Sequence, residues 1–243
     1  MLQATSNYKA VKNLLSDGKT NAKTKKNAIK TYILYLAPSN LSGINVCPYA
    51  SKGCILGCLN TAGHGQFNSV QLARLNKTLI FKHNRELFYL QLTEELLKIH
   101  DIAMKKRIDV AIRLNGTSDI DHLALIERYS GINFLDDFYN RNLKFYDYTK
   151  NINIVKKYLN SNYKITFSRS EINDFQVEDV LKNGGNVAIV FKNELPETFN
   201  GYKVINGDES DLRYYDEKNV IIGLKAKGKA KKDLSGFVIN INN

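Results

Sequence analysis

Short apolar segments alternate along the chain with longer stretches in which apolar residues recur at helical spacing. The short segments 32–37, 109–114, 143–148, 164–167, 187–191, 202–205 and 220–224 predict strands. Helical spacing predicts two helices within 67–106, separated near residues 83–84, and shorter helices over 121–129, 153–159 and 177–183. Segment 187–191, VAIVF, is continuously apolar, which is typical of a parallel strand covered on both faces.

This alternation of strands and helices predicts parallel β/α units in an α/β protein. We expect residues 1–243 to form a single domain. Its first part, 1–31, is predicted to contain an N-terminal helix over 1–15 and a basic arm over 19–31, and its core to span 32–240. The strand number and chain length favour a partial or complete β/α barrel with mostly parallel strands, and an open parallel α/β sheet is the alternative.

All three cysteines of the chain, Cys47, Cys54 and Cys58, lie in the loop 47–64 that follows the first predicted strand. An odd number of clustered thiols argues against a disulfide framework and favours a metal or cluster site. One interpretation is a [4Fe–4S] cluster on three thiolates, which leaves one iron open. A second is zinc, for which His64 would be the fourth ligand. A third is packed or redox-active thiols without metal.

The loop position and the open iron are typical of radical S-adenosylmethionine enzymes, although the spacing Cys-x6-Cys-x3-Cys differs from their usual Cys-x3-Cys-x2-Cys. Polar side chains at the ends of the predicted strands would converge on the same rim, because the carboxyl ends of parallel strands meet at one edge. Arg113 is the sharpest case, since it ends an apolar strand and could bind a carboxylate or phosphate bidentately. The predicted cofactor pocket consists of Arg113, Asn115, Ser118, Asp119, Tyr146, Asp147, Ser168 and Arg169.

The composition is strongly basic, with a formal net charge of +11. Such a charge attracts nucleic acid or a phosphate-bearing small molecule, although solvated surface lysines also produce it. The predicted phosphate contacts are Lys19, Lys23, Lys25, Lys225 and Lys227. No apolar run is long enough to cross a membrane and the first residues lack the apolar core of a signal peptide, so we expect a cytoplasmic protein with no membrane partner.

Several segments together resemble one protein family. They are GKTNAKTKK, CPYASKGCILGCLNTAGHG, RLNGTSDID, FYDYTKN, FSRSE and GLKAKGKA, spread over residues 18–237. They resemble the gene product 88 family of phages and mobile elements. The resemblance implies a protein made inside a bacterial host cell, and it implies that both basic stretches belong to the site. Three functions follow as hypotheses: a radical S-adenosylmethionine-like iron–sulfur enzyme, a nucleic-acid-binding protein with a structural metal, or a phage protein that blocks a host factor.

Overall fold

The structure is a computed structural model that describes residues 11–18, 29–61 and 63–241. Most of the predicted N-terminal helix and of the basic arm, including Lys19, Lys23 and Lys25, lies outside these residues. Where the helix prediction reaches the described chain it is wrong, because β1 (Leu15–Asp17) is a strand. The Glu95 carboxylate accepts hydrogen bonds from the backbone N–H groups of Leu14 and Leu15, at 2.7 and 2.8 Å. This contact holds the segment extended at the sheet edge.

Every strand predicted from the sequence has a counterpart, with ends shifted by a few residues. These are β2 (Lys30–Leu34), β3 (Val110–Arg113), β4 (Leu143–Thr149), β5 (Lys164–Ser168), β6 (Asn186–Phe191), β8 (Tyr202–Asn206) and β9 (Ile221–Lys225). Besides β1, two strands were not predicted: β7 (Thr198–Phe199) and β10 (Val238–Ile239).

The helices predicted between residues 67 and 183 are also present. The described helices are α1 (Ser39–Ser42), α2 (Lys52–Leu56), α3 (Asn68–His83), α4 (Arg85–Lys106), α5 (His122–Ser130), α6 (Asp137–Asn140), α7 (Ile152–Tyr158) and α8 (Val177–Lys182). The predicted break between the two long helices falls at Asn84, whose side chain caps α4 by accepting from the backbone N–H of Leu87. No helix in the described part of the chain combines the length and apolar composition that a membrane crossing requires.

The strands form a ten-stranded sheet in the order β1-β2-β3-β4-β5-β6-β9-β8-β7, with β10 paired to the far end of β6. All neighbours are parallel except β1–β2 and β7–β8, which are antiparallel. The described strands therefore make a mostly parallel α/β sheet with β1 and β7 at its two ends. This agrees with an open sheet, and closure into a barrel is not confirmed.

The two faces of the sheet carry different chemistry. From β2 to β6 the strands succeed one another in one direction, and right-handed crossovers place the connecting helices on one face. On that face Ile112 and Phe145 pack with Phe88 of α4, and Val187 packs with Val180 of α8. Because side chains alternate along a strand, the next residues point the other way. That opposite face, with its polar strand ends, forms the wall of a cavity.

Candidate functional site

A cavity of about 250 Å³ opens at the carboxyl ends of β3, β4, β5, β6 and β9, on the face opposite the helices. The cysteine loop forms its other wall, and Ala230 and Phe237 of the C-terminal segment complete it. The predicted site residues that line this cavity are Cys47, Cys54, Cys58, Arg113, Asn115, Ser118, Asp119, Ser168, Lys225 and Lys227. The structure thus brings together the cysteines and most of the polar strand ends selected from the sequence.

The three cysteines approach the cavity from one short stretch of backbone. Cys47 precedes α2, Cys54 lies within it and Cys58 follows its last residue by two positions. All three are half-buried, and none forms a disulfide. The Cys47 thiol donates to the backbone oxygen of Thr117, with Sγ 3.7 Å away.

The surroundings keep two of these thiols protonated. Burial raises the pKa of Cys47 to about 12, with a smaller contribution from the nearby Asp119 carboxylate, while Lys150 acts in the opposite direction. Burial also raises the pKa of Cys58, against a hydrogen bond from the Asn60 backbone. A nucleophilic cysteine needs the thiolate, which a lowered pKa favours. Cys47 and Cys58 are therefore poor nucleophiles at neutral pH unless a bound cation stabilises their ionised form.

A carboxylate from another loop fixes the start of α2. Glu171, which follows β5, accepts the Ser51 hydroxyl at 2.7 Å and the Gly53 backbone N–H at 2.9 Å. Ser51 in turn accepts the backbone N–H of Cys54 at 3.2 Å and is the N-cap of α2. A Cβ at position 53 would lie 2.5 Å from the Cβ of Phe237, so glycine permits this close approach of the C-terminal segment. Glu171 therefore connects the cysteine loop to the sheet.

Asn115 and Ser118 shape the loop that follows β3. The Asn115 side-chain oxygen accepts the Ser118 hydroxyl at 2.8 Å and the backbone N–H of Ile120 at 3.0 Å, while its amide donates to the Ile120 oxygen. These bonds use both polar atoms of Asn115. Its role is to hold the cavity wall in shape, and the Ser118 oxygen keeps the capacity to accept a further hydrogen bond.

Asp119 braces the end of β4 in the same way. Its carboxylate accepts the Thr149 hydroxyl at 2.6 Å and the Lys150 backbone N–H at 2.9 Å. Burial raises the pKa of Asp119, while these two hydrogen bonds lower it. The Lys150 side chain enters the cavity wall, where its Nζ donates to Ser168 Oγ at 2.9 Å. An ammonium can donate three hydrogen bonds, so Lys150 can also bind an anion.

Arg113 is the second cation on the cavity wall. Its Nη1 donates to Asp211 Oδ2 at 2.9 Å, its Nε lies 3.8 Å from Asp147 Oδ1, and its guanidinium lies 4.8 Å from the centre of the Tyr148 ring. Burial lowers the pKa of Arg113, but the Asp211 carboxylate and neighbouring groups outweigh this and the net shift is upward. Arg113 is therefore held charged and in one orientation.

Tyr146 and Asp147 do not line the cavity, contrary to the sequence prediction. The Tyr146 hydroxyl donates to Asp211 at 3.2 Å from a buried position beneath Arg113. Asp147 is buried on the helix-covered side, where it accepts two backbone N–H groups after β3 and the Tyr163 hydroxyl at 2.8 Å. Burial raises the pKa of Asp147 to about 7, although Arg113 and these donors act against it. Tyr146 therefore holds Asp211 of the cavity wall, and Asp147 supports the wall from the helix-covered side.

Arg169 and His64 are also placed away from the cavity. Arg169 donates through Nε to Asp174 at 2.7 Å and through Nη1 to the backbone oxygen of Phe237 at 3.1 Å, so it anchors the C-terminal segment. His64 lies in the exposed 3₁₀-helix Gly63–Gln66, with its ring 5.5 Å from the ring of Phe67. His64 is exposed and does not line the cavity that the three cysteines share.

Lys225 and Lys227 lie at the outer edge of the cavity. Both are exposed, and Lys227 Nζ forms an ion pair with Asp208 at 2.7 Å. The backbone N–H of Lys225 donates to the same Asp208 carboxylate at 2.8 Å. These contacts fix the backbone that carries the lysines, and they place positive charge where the cavity meets solvent.

The comparison with protein families decides where this chain belongs. The model of the family described as Gene product 88 matches residues 9–241. The chain belongs to the gene product 88 family. This match spans every wall of the cavity and confirms the family resemblance seen in the sequence. Searches of curated proteins and of solved structures found no match.

Some residues at the cavity of this gene product 88 chain lie outside the predicted sets of cofactor, phosphate and metal ligands. The clearest are Lys150, Tyr148, Asp211 and Phe237, together with Glu171 behind the cysteine loop. A signal existed for Lys150, which directly follows β4, and for Tyr148, which alternation puts on the same face of the strand as Tyr146. No comparable signal existed for Phe237, because only tertiary packing brings it to the cavity.

Among residues 11–18, 29–61 and 63–241, no group of three or more His, Cys, Asp or Glu side chains is arranged to hold a metal ion. The three cysteines line one cavity but do not converge on a single point. Three thiols lie on one wall of the cavity, and Arg113 and Lys150 place positive charge on the wall formed by the strand ends.

Proposed function

We propose that this protein is a radical S-adenosylmethionine-like enzyme in which Cys47, Cys54 and Cys58 hold a [4Fe–4S] cluster. The observation that carries the proposal is that three thiols from one loop line a single cavity at the carboxyl ends of parallel strands. Three thiolates leave one iron of such a cluster without a protein ligand. When bound, the cluster and S-adenosylmethionine would supply the radical chemistry, and the protein would bind and orient the substrate.

The fold supports the proposal by the order of its strands. From β2 to β6 the parallel strands follow chain order, with their helices on one face and the cavity on the other. This strand order is shared by an open parallel α/β sheet and by the incomplete β/α barrel that the sequence predicts. In parallel α/β folds, sites form at the carboxyl ends of the strands, and the cysteine loop after β2 lies at that edge.

The chemistry of the donors also fits. Cys47 and Cys58 have raised pKa values because they are buried, so they must lose protons when they bind a metal. Lys150 lies close enough to lower the pKa of both thiols, and Arg74 lowers that of Cys58. Cluster assembly should therefore release protons and become more favourable as the pH rises. Zinc is the weaker alternative, because the fourth ligand it would need, His64, is exposed and does not line the cavity.

The two wall cations have defined tasks in this proposal. Lys150, already bonded to Ser168, is placed to bind a carboxylate or phosphate of a ligand in the cavity. Arg113, fixed by Asp211, holds positive charge on the neighbouring strand. The apolar side chains Val190 and Leu224 line the floor and limit the access of water. These groups bind and orient a charged ligand next to the cysteines.

Anaerobic reconstitution with iron and sulfide tests the cluster. We expect a brown protein with iron and acid-labile sulfide, and each of C47S, C54S and C58S should lose most of both. The control is H64A, which should keep the cluster because His64 lies outside the cavity. A colourless protein that binds zinc, and loses it in H64A, would contradict the proposal.

A second experiment tests the binding of S-adenosylmethionine. Adding it to the reduced, cluster-loaded protein should change the electron paramagnetic resonance spectrum, because a ligand of the open iron alters the cluster electronically. K150Q should weaken this binding, whereas K98Q, on the exposed surface of α4, should leave it unchanged. An unchanged spectrum at saturating S-adenosylmethionine would refute this part of the proposal and leave an iron–sulfur protein of another class.

A further inference from the structure

A basic 3₁₀-helix, Gly228–Lys232, lies beside the cysteine loop at the mouth of the cavity. It packs against α2 and the 3₁₀-helix Leu59–Thr61, and Ala230 comes close to Gly57. Its exposed lysines have no ion-pair partner among the residues that the structure describes; they are Lys229, Lys231 and Lys232. Lys225 and Lys227 line the cavity just before this helix, so residues 225–232 carry five lysines next to the mouth.

The cysteine loop exposes apolar side chains next to these lysines. Leu59 lines the cavity and is still 60% exposed, and Leu56 is 68% exposed. Tyr49 and Ile55 of the same loop are also exposed. Large apolar side chains concentrated in one loop beside a site indicate a surface that a ligand covers. That ligand must combine apolar faces with negative charge, because the lysines and the apolar groups share one rim.

We infer that this rim binds a single strand of nucleic acid, with the phosphates on the lysines of 225–232 and the bases on the exposed side chains of the cysteine loop. Proteins that bind single strands pair a basic groove with aromatic side chains on which bases stack, and Tyr49 is the aromatic member of this exposed set. The net charge of +11 also favours a polyanion over an acidic patch on a folded protein.

A single strand fits this site better than a duplex does. The polar groups of the cavity, such as Lys150 and Ser168, lie below the rim, at the ends of the β-strands. A base can reach them only after it leaves the stack, which costs least in a single strand. The inference rests on the proposed function in one respect: it names a nucleotide within a strand as the substrate of the cysteine site.

Fluorescence anisotropy with labelled single-stranded DNA, single-stranded RNA and duplex DNA of equal length tests the inference, over a series of salt concentrations. The variant K229Q/K231Q/K232Q should bind single strands at least about tenfold more weakly than the parent. Each phosphate contact contributes about 0.7 to the magnitude of the slope of log affinity against log salt concentration. If the three lysines contact phosphates, the slope should therefore become about 2 units less steep in the variant. Comparing the DNA and RNA arms shows which strand is preferred.

The matched control is K82Q/K105Q/K106Q, which removes the same charge from exposed positions on α3 and α4. It should leave affinity within about twofold of the parent, because only a long-range field is lost. The inference would be overturned if both triple variants lost the same amount of affinity. It would also be overturned if the protein bound duplex DNA more tightly than single strands, or bound no single strand at low salt. Y49A adds a second readout, an expected loss of about tenfold with an unchanged salt slope.

The measurement is made on the cluster-loaded protein and repeated on C54S. Binding should persist in C54S, because the lysines and Tyr49 do not depend on the cluster. A protein that assembles the cluster but binds no strand would refute this inference alone. A protein that binds the strand but assembles no cluster would refute the proposed function and leave the nucleic-acid site standing.

Discussion

We expect Glu171 to hold the cysteine loop in place, and replacing it is the sharpest test of how that loop is fixed to the sheet. Its carboxylate is the only link in the hydrogen-bonded series Glu171–Ser51–Cys54 that comes from the sheet side of the cavity. The bonds to Ser51 and to the backbone of Gly53 measure 2.7 and 2.9 Å. E171A removes both acceptors, whereas E171Q keeps one side-chain oxygen and places an N–H₂ group where the second acceptor was.

The size of the effect follows from these two bonds. A hydrogen bond to a charged group contributes about 1.5–3 kcal/mol when it is buried. Glu171 is half-exposed, so water replaces part of each bond, and we expect E171A to lower the free energy of unfolding by about 2 kcal/mol. E171Q should lose about half of that. The control E94Q breaks only the exposed Glu94–Lys98 pair and should cost about 0.3–0.5 kcal/mol.

Two assays distinguish a local effect from a general one. Urea unfolding measures the free energies, and reaction with a thiol reagent under native conditions measures the accessibility of Cys54. We expect Cys54 to react faster in E171A, because α2 loses the contact that holds its start. A loss in E171A no larger than in E94Q, or an unchanged rate of thiol modification, would refute the role assigned to Glu171.

Three other changes test the support around the site. Y163F removes the hydroxyl that donates to buried Asp147 and should cost about 1–2 kcal/mol in urea unfolding; no loss would mean that this bond is not formed. Burial lowers the pKa of Lys77 to about 8, so the folded lysine loses its proton before the unfolded one, and the stability of the parent relative to K77M should rise by up to about 3 kcal/mol between about pH 8 and pH 10. The comparison with K77M removes the opposite effect of the raised Cys47 and Cys58 pKa values, and a difference that does not change with pH would refute this assignment. G53A places a Cβ 2.5 Å from that of Phe237 and should lower the free energy of unfolding by about 1–3 kcal/mol; an unchanged urea midpoint would mean that the C-terminal segment does not pack this closely on α2.

The fold was largely predictable because most of its elements carry a local periodic signal. The strand β6 is a continuous apolar run, and α3 and α4 repeat apolar residues at helical spacing. Strands of two or three residues, such as β7 and β10, are too short to show any period. The sequence also could not predict that β9 lies between β6 and β8, because this order depends on pairing between strands that are distant in the chain.

In the candidate site, too, the residues with a local sequence signal could be predicted and those placed by distant contacts could not. Arg113 and Ser168, which were selected because they end predicted strands, both line the cavity, since parallel strands present their ends at one edge. Alternation within β4 would also have separated Tyr148, which faces the cavity, from Asp147, which faces the helices. Arg169 also directly follows a strand, β5, but it does not line the cavity. Its hydrogen bonds go to Asp174 and to the backbone of Phe237, in a loop and a terminal segment that no local sequence pattern connects to β5.

The unusual cysteine spacing has a structural reason, and this reason changes how the motif should be interpreted. After Cys47 the chain makes a turn, with the Ala50 N–H donating to the Cys47 oxygen at 3.1 Å, and then Ser51 caps α2. Six intervening residues are therefore used to reverse direction and begin a helix before Cys54 is reached. Gly57 ends that helix and returns Cys58 to the same wall. The position of α2, rather than the number of residues between thiols, determines that all three face one cavity.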